Sequence, residues 1–519
     1  MNERFTSAAE LLPDYLAQHV ILCATALAIG VLIALPLAVL GARRPRIRFW
    51  ILTIVGLIQT IPGLALLALF YPLLLGLSRI SDALIGVDIP ALGFLPSVAA
   101  LALYAILPIV RNGIAGFVTI DPAVIEAADA VGMTPRQRLF RVEAPLAAPI
   151  IMAGVRTAAV WTIGAATLST SVGQTSLGNY IFAGLQTENW VLVLFGCVAS
   201  AGLAFIVDQL LGLIEHGIAR RNHRLSLPGF LGLLAGVIVA LAPLNPTSAK
   251  IYIVGAKNFS EQYILADLIS GRLAATGATI HQRTNLGSAI AFRAVANSDI
   301  DTYVDYAGTL WANVLKRQDT LPADAVEREL RDKLASDYGV LVLGTLGFEN
   351  AYVFAMQRDR ATALGIATVA DLARHASAMT LGTDFEFLSR PEWTAIKNAY
   401  GFDFGAKRSF DPTFMYRALA DGSVDVISAF SSDGRIAAQN LLVLRDEKHV
   451  LPPYDALILF SPKRAKDATL IGALTPLLGK ISVEQMREAN WMVDRNENKA
   501  TPQQASDYLA KMIGVAGAQ

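Results

Sequence analysis

Asp121-Pro-Ala-Val-Ile-Glu-Ala-Ala-Asp-Ala-Val-Gly132, continuing as Met133-Thr-Pro-Arg-Gln-Arg-Leu-Phe-Arg-Val-Glu-Ala-Pro145, is a charged, proline-punctuated stretch between two long apolar runs. Asp121 can cap a helix whose first position is Pro122, where a missing amide hydrogen is harmless. Gly132 can end that helix, and Thr134-Pro135 can begin another. The stretch therefore predicts two short, partly apolar helices meeting at a bend. Arg136, Arg138 and Arg141 in its second half decide on which side of a membrane such a bend would lie.

Outward from the bend, six segments are apolar enough to cross a bilayer: about 17–41, 50–76, 92–117, 147–169, 190–214 and 227–244. A spanning helix needs roughly 20 such residues, because no water is present to satisfy loose backbone groups. The last segment is short, but Pro243 and Pro246 end it. Arg43, Arg44, Arg46 and Arg48 follow the first segment, and Arg220, Arg221 and Arg224 separate the fifth from the sixth. The alternate loops are poor in positive charge: Arg79 stands with Asp82 and Asp88, and 170–189 holds only Glu188. Every second loop is then cytoplasmic, the N-terminus is outside, and six spans put everything after residue 249 outside as well. Arg156 and Asp208 fall in or near spans; snorkelling from the cytoplasmic ends of their helices is preferred to a place on a transport path.

The bulk numbers agree with a membrane portion. Of 519 residues 54% are hydrophobic and 17% charged. The 43 basic and 43 acidic residues give no sign of nucleic-acid binding, but they are unevenly placed. No lysine precedes Lys250, and residues 1–248 carry 14 arginines against 12 acids. Residues 249–519 carry 29 basic and 31 acidic residues and read as an ordinary soluble domain. Cys23 and Cys197, both in apolar stretches, are read as small core residues rather than a disulfide or metal site. The acidic start (Glu3, Glu10, Asp14) lacks a basic leader, so the first apolar segment is read as a retained span.

The bend resembles the EAA loop of ABC importer permeases: Glu126, Ala127 and Ala128, then Gly132 at the expected interval, a hydrophobic residue and a proline. Val142 stands where isoleucine is usual, and Ala144-Pro145 where Leu-Pro is usual. In that family the loop docks into the ATPase subunit, and one permease is half a pore, so the resemblance implies a homodimer. The chain itself has no GxxxxGK[ST] phosphate loop: Gly479-Lys480 is followed by Ile481, and Gly472 upstream is at the wrong spacing. The resemblance thus implies that this chain binds no cofactor and that ATP is used by a separate partner subunit.

After a linker at Ala242–Ala249, Ile251–Gly255 reads as a buried strand and a helix is expected from about Ser260. Further strands are expected at 299–304, 340–344, 351–356, 379–382, 424–429 and 441–444, an α/β rhythm over a length that suits two lobes. The motifs here are Lys257-Asn-Phe-Ser-Glu-Gln262, Asn285-Leu-Gly287, Asp299 to Thr309 (with Tyr306), Gly347-Phe-Glu-Asn-Ala-Tyr352, Glu386-Phe-Leu-Ser-Arg390, Asp425 to Arg435 (with Phe430) and Pro452-Pro-Tyr454-Asp-Ala. They resemble the solute-binding proteins of glycine betaine, choline and carnitine importers, a family that includes permease–binding-domain fusions. The fold expected is an α-helical permease-type membrane domain (1–226, loop 121–146), a sixth span and linker (227–249), and a two-lobed periplasmic-binding-protein domain (250–519). Lobe one would be 250–349 with 452–519, and lobe two 350–451.

A trimethylammonium group has no hydrogen to donate, so aromatic faces must hold it. By resemblance those faces are Tyr306, Tyr352, Phe430 and Tyr454, with Phe430 where tyrosine is usual. Lys257, Thr309 and Arg390 are the matching donors for a carboxylate, and Glu386 orients Arg390 or contacts the cation. Tyr303 and Tyr416 are further lining residues. The run Arg328–Lys333 is read as a solvated helix face. Three functions remain: a quaternary ammonium importer, the same machine carrying ergothioneine, and a membrane sensor that binds without transport, which an ATPase dock argues against. No Ser/His/Asp or metal-ligand cluster supports an enzyme. The expected partners are an ATPase subunit, a second permease, membrane lipid and a small betaine-type solute, at the bacterial inner membrane.

Overall fold

The computed structural model describes every residue except 1, 86–88, 188, 242–249, 318, 320, 449, 452, 496 and 516–519. The expected linker Ala242–Ala249 and the loop residues Asp88, Glu188 and Pro452 lie outside the described residues, as do the side chains of Arg79 and Asp82. The chain forms two compact units, one of residues 1–182 and 191–247, the other of 248–519 together with 183–190.

The first unit is helical: α1 (Asn2–Arg43), α2 (Pro45–Thr60), α3 (Gly63–Ile85), α4 (Phe94–Val118), α5 (Pro122–Ala130), α6 (Pro135–Arg138), α7 (Ala144–Ala166), α8 (Gly178–Gln186), α9 (Trp190–Ala219) and α10 (His223–Leu241). Among the described residues five helical stretches are long and apolar enough to span a membrane, and six if the α2–α3 pair counts as one. That pair differs from the expected continuous span at 50–76, because it bends by 99°. The cause is Pro62, which pushes the preceding Ile61 out of the helical region to φ −71°, ψ 126°.

Helix α4 is the most enclosed, between α1 and α7, and the contacts are made at small residues. A Cβ on Gly113 would come within 2.6 Å of the Ala38 Cβ, and one on Gly154 within 2.8 Å of the Pro108 carbonyl oxygen. Lipid supplies no hydrophobic drive between helices, so close backbone approach supplies the packing instead. Arg156 of α7 pairs with Asp208 of α9 at 2.6 Å and reaches Glu215 at 3.5 Å, so it bridges two spans rather than only snorkelling. Cys23 is buried as expected, but Cys197 is exposed on α9; neither is in a disulfide.

The second unit holds two five-stranded sheets. The first, in order β2-β1-β3-β10-β4, contains β1 (Ile251–Lys257), β2 (Thr279–Leu286), β3 (Thr302–Tyr306), β4 (Leu341–Glu349) and β10 (Asp455–Phe460). The second, in order β7-β6-β8-β5-β9, contains β5 (Tyr352–Gln357), β6 (Thr380–Thr383), β7 (Ala406–Ser409), β8 (Val426–Phe430) and β9 (Leu441–Val443). β2, β7 and β10 were not among the expected strands. Within the first sheet β1, β2 and β3 run parallel, whereas β10 is antiparallel to β3 and β4. The chain passes from one sheet to the other at 349–352 and returns before β10, the signature of a two-lobed binding domain.

Candidate functional site

The strand ends bring the site together. Lys257 closes β1 and Tyr306 closes β3, at the carboxyl ends of parallel strands; Phe430 closes β8, and Asp384 follows β6. Tyr352 opens β5 directly opposite Phe430, and Tyr454 immediately precedes β10. Antiparallel β5 and β10 thus present their amino ends where the parallel strands present their carboxyl ends, the usual crevice of open α/β sheets. All eight expected site residues line this one cleft: Tyr306, Tyr352, Phe430 and Tyr454, and Lys257, Thr309, Glu386 and Arg390. The space between its walls is about 550 Å³, part of it open to solvent. Tyr303 and Tyr416 are buried elsewhere and do not line it.

The rings touch one another. Tyr352 lies 4.9 Å from Phe430 and 6.2 Å from Tyr454 between centroids. Phe259 stacks 6.0 Å from Phe430 and 6.2 Å from Tyr306, completing the wall. Sequence reasoning missed Phe259, although it stands inside the quoted motif after Lys257-Asn. Each tyrosine is held by its hydroxyl: Tyr306 donates to Glu261 (2.6 Å), Tyr352 to Asp384 (2.8 Å) and Tyr454 to Glu392. Burial raises all three phenols well above their ordinary range, so they remain donors. Glu261, Asp384 and Glu392 were not foreseen either.

The charged side chains are already engaged. The Lys257 ammonium is bound by Asp305 and lies 5.1 Å from the Tyr306 ring centroid. Arg390 donates to Glu392 (2.8 Å), Thr309 (3.1 Å) and Glu386 (3.3 Å), and its guanidinium sits 5.0 Å from the Tyr352 ring. Burial opposes its charge, but Tyr352, Tyr454 and Glu392 outweigh that and hold its pKa well above the usual value. Glu386 also accepts from the Ser288 backbone amide at 3.2 Å, a link from the second sheet's loop to the first sheet's. Glu261 accepts from Tyr306, Asn350 (3.0 Å), Ser432 (2.6 Å) and Asn490 (2.7 Å), and burial raises its pKa.

In the helical unit the quoted loop folds as α5 and α6 around Gly132, whose φ of +77° is left-handed and favours glycine. Asp121 accepts from the Ala123 amide, and Thr134 with Gln137 forms a capping box. Glu126, Ala127 and Gly132 are exposed, Ala128 is buried, and Val131 and Phe140 present 73% and 72% of their surface. Arg138 ties the two helices together, to Asp129 at 2.6 Å and Glu143 at 2.7 Å, and Glu143 also meets Arg43 of α1 at 3.5 Å.

A multi-span helical unit with an exposed bent loop, joined to a two-lobed domain with an aromatic cleft, defines the membrane and solute-binding parts of a binding-protein-dependent importer. Residues 251–511 match the substrate-binding domain of the ABC-type glycine betaine transport system, and residues 28–220 match the inner membrane component of binding-protein-dependent transport systems. The chain belongs to this ABC importer family, as a fused permease and substrate-binding component. It is 30% identical over 482 residues to the ergothioneine transport permease/ergothioneine binding protein of Helicobacter pylori (strain G27), covering 90% of this chain and 84% of that one. It is 37% identical over 198 residues to a choline transport system permease protein of Bacillus subtilis (strain 168), 38% of this chain and 84% of that one. It is 29% identical over 266 residues to a carnitine transport binding protein of Listeria monocytogenes (serotype 1/2a, strain 10403S), 49% of this chain and 85% of that one.

Proposed function

We propose that this chain imports a betaine-type quaternary ammonium solute, of the glycine betaine, choline and carnitine class. The observation that carries the reading is the convergence of Tyr306, Tyr352, Phe430 and Tyr454, with Phe259 behind them, on one cleft. Such faces suit a diffuse cation that has no hydrogen to donate, at about 0.5–2 kcal/mol per good contact. Arg390 and Thr309 at the same cleft suit a carboxylate. The purified full chain, titrated with glycine betaine, choline, carnitine, ergothioneine and glycine, tests this. At least one of the first three should bind tenfold or more tightly than glycine, whose compact ammonium is costly to strip of water. Binding of none of them would sink the reading. The Helicobacter pylori relative, alike over both halves, favours a second cargo, ergothioneine. Tenfold preference for it over the other three would replace the first.

The machine that goes with this reading has Glu126, Ala127, Ala128 and Gly132 docking a separate ATPase, which uses the ATP. Exposed Val131 and Phe140 offer that partner an apolar face. Two copies of the permease form the pore in the bacterial inner membrane, with residues 250–519 outside. Lys333→Cys should then react with an impermeant thiol reagent on intact spheroplasts, and Gln137→Cys only after permeabilisation; both positions are exposed.

A further inference from the structure

The three cleft tyrosines share a device that their role as apolar walls does not require. Each phenol donates to a carboxylate: Tyr306 to Glu261, Tyr352 to Asp384, Tyr454 to Glu392. All six groups are no more than 6% exposed. Burying a carboxylate is expensive, and a serine, an amide or a water would anchor a phenol as well.

The charges around the cleft do not cancel. Lys257 is matched by Asp305, and Arg390 by Glu392. Glu261 and Asp384 are hydrogen-bonded by neutral donors alone. Each Glu261 oxygen receives one amide NH₂, from Asn350 or Asn490, and one hydroxyl, from Tyr306 or Ser432. One Asp384 oxygen receives the backbone amides of Glu386 and Phe387, both at 2.7 Å, and the other receives Tyr352. The amide N–H groups can only donate and favour the ionised form, against burial, which raises the pKa of both carboxyls.

Resting on the quaternary ammonium reading, we propose that Glu261 and Asp384 are positioning residues for charge, which make the cleft select a cation over a neutral molecule of the same shape. Two effects act together. A phenol that donates to a carboxylate is polarised toward its ring, which deepens the negative face that a cation sees. The carboxylate's own field also reaches through the ring, in a site largely closed to water. A unit charge roughly 9 Å away, at an effective dielectric of about 20 to 40, changes an equilibrium constant about five- to twenty-fold. Glu261 does this without lining the cleft, and Asp384 from its wall. The bound ammonium then serves as the counterion that the two carboxylates lack.

The test compares each cation with its carbon isostere, in which a quaternary carbon replaces nitrogen. These are glycine betaine against 3,3-dimethylbutanoate, and choline against 3,3-dimethylbutan-1-ol. Each is titrated into the full chain in lipid nanodiscs, as wild type, Glu261→Gln and Asp384→Asn. Either substitution keeps size and an acceptor oxygen while removing the charge. The expected result is a cation-to-isostere affinity ratio that falls about five- to twenty-fold in each variant, with the affinity of the uncharged 3,3-dimethylbutan-1-ol changed less than about twofold. If the variants weaken cation and isostere alike, the carboxylates only anchor the rings and the proposal is overturned. A ratio equal to wild type in both variants overturns it too. A wild-type chain that binds none of glycine betaine, choline and carnitine overturns the quaternary ammonium reading and, with it, this proposal, so the two failures are told apart by the wild type alone.

Discussion

The bend at Gly132 and the cleft at Tyr352 use the same ingredients, apolar side chains and paired charges, at opposite depths. At the bend Val131 and Phe140 stand in the open and Arg138 joins exposed Asp129 to Glu143, whose side chain is buried. In the cleft the three tyrosines and their carboxylates are almost wholly buried. Surface ion pairs contribute about 0–1 kcal/mol, whereas removing one partner of a buried pair costs about 3–5 kcal/mol. Substitutions in the two regions should therefore fail in different ways: at the bend transport is lost while the fold and ligand binding stay intact, and in the cleft binding and stability fall together.

The sharpest break is Gly132→Leu. A Cβ at this position meets nothing within 4 Å, so the harm comes from the left-handed backbone, about 1–2 kcal/mol, and from the altered docking face. Uptake and solute-stimulated ATP hydrolysis should disappear in reconstituted vesicles while solute affinity is unchanged. Normal uptake would remove the bend from the coupling path. Next comes Arg390→Ala, which strands buried Glu392. Chemical denaturation should show the second unit destabilised by about 3–5 kcal/mol, and glycine betaine should lose more affinity than choline, which has no carboxylate. Smaller again, Tyr306→Leu and Tyr352→Leu keep apolar contact but remove the ring. Each should weaken binding by about 1–2 kcal/mol, five- to thirty-fold, read by titration.

The smallest effect belongs to a site in the second unit that does not line the cleft. Burial, with Asp507 adding, raises Asp267 to about 7. Its neutral form is the one folding favours, so the stability it contributes is present below about pH 4 and is lost as pH rises through about 7. Asp267→Asn can keep an oxygen for Gln282, now 2.8 Å from Asp267. The variant should melt at the same temperature as wild type near pH 4 and a few degrees higher near pH 8, with solute affinity unchanged. An equal difference at both pH values would show that the carboxyl does not titrate there.

How far these features could be read in the chain depended on how local they were. The loop at 121–145 was legible because its caps, glycine and prolines act within a few residues of one another. The break at Pro62 was written in the sequence too, but uniform hydropathy across 50–76 hid it. β2 and β7 escaped because edge strands such as Ala406–Ser409 are exposed and polar, without alternation. β10 was different: Ala456–Phe460 is a continuous buried apolar run that its proline-rich approach made easy to overlook. The cage rings could be placed by motif, whereas their backing could not. Glu261 lies 45 residues from Tyr306, Asp384 lies 32 from Tyr352, and Glu392 lies 62 from Tyr454. No pattern within a strand or helix connects such pairs; only the sheets bring them together.

The two chain crossings between the sheets are themselves joined, because the Asn350 amide donates to the Tyr454 carbonyl at 3.0 Å. Tyr454 therefore stands at a crossing and forms a wall of the cleft at once. A rotation of one sheet about these crossings would turn that ring, so the aromatic wall would open by the same movement that lets water in. Capture and shutting would then be a single equilibrium rather than two steps in series. Stiffening the crossing would lengthen the solute's residence and slow its exchange, even with every surface it touches left as it was.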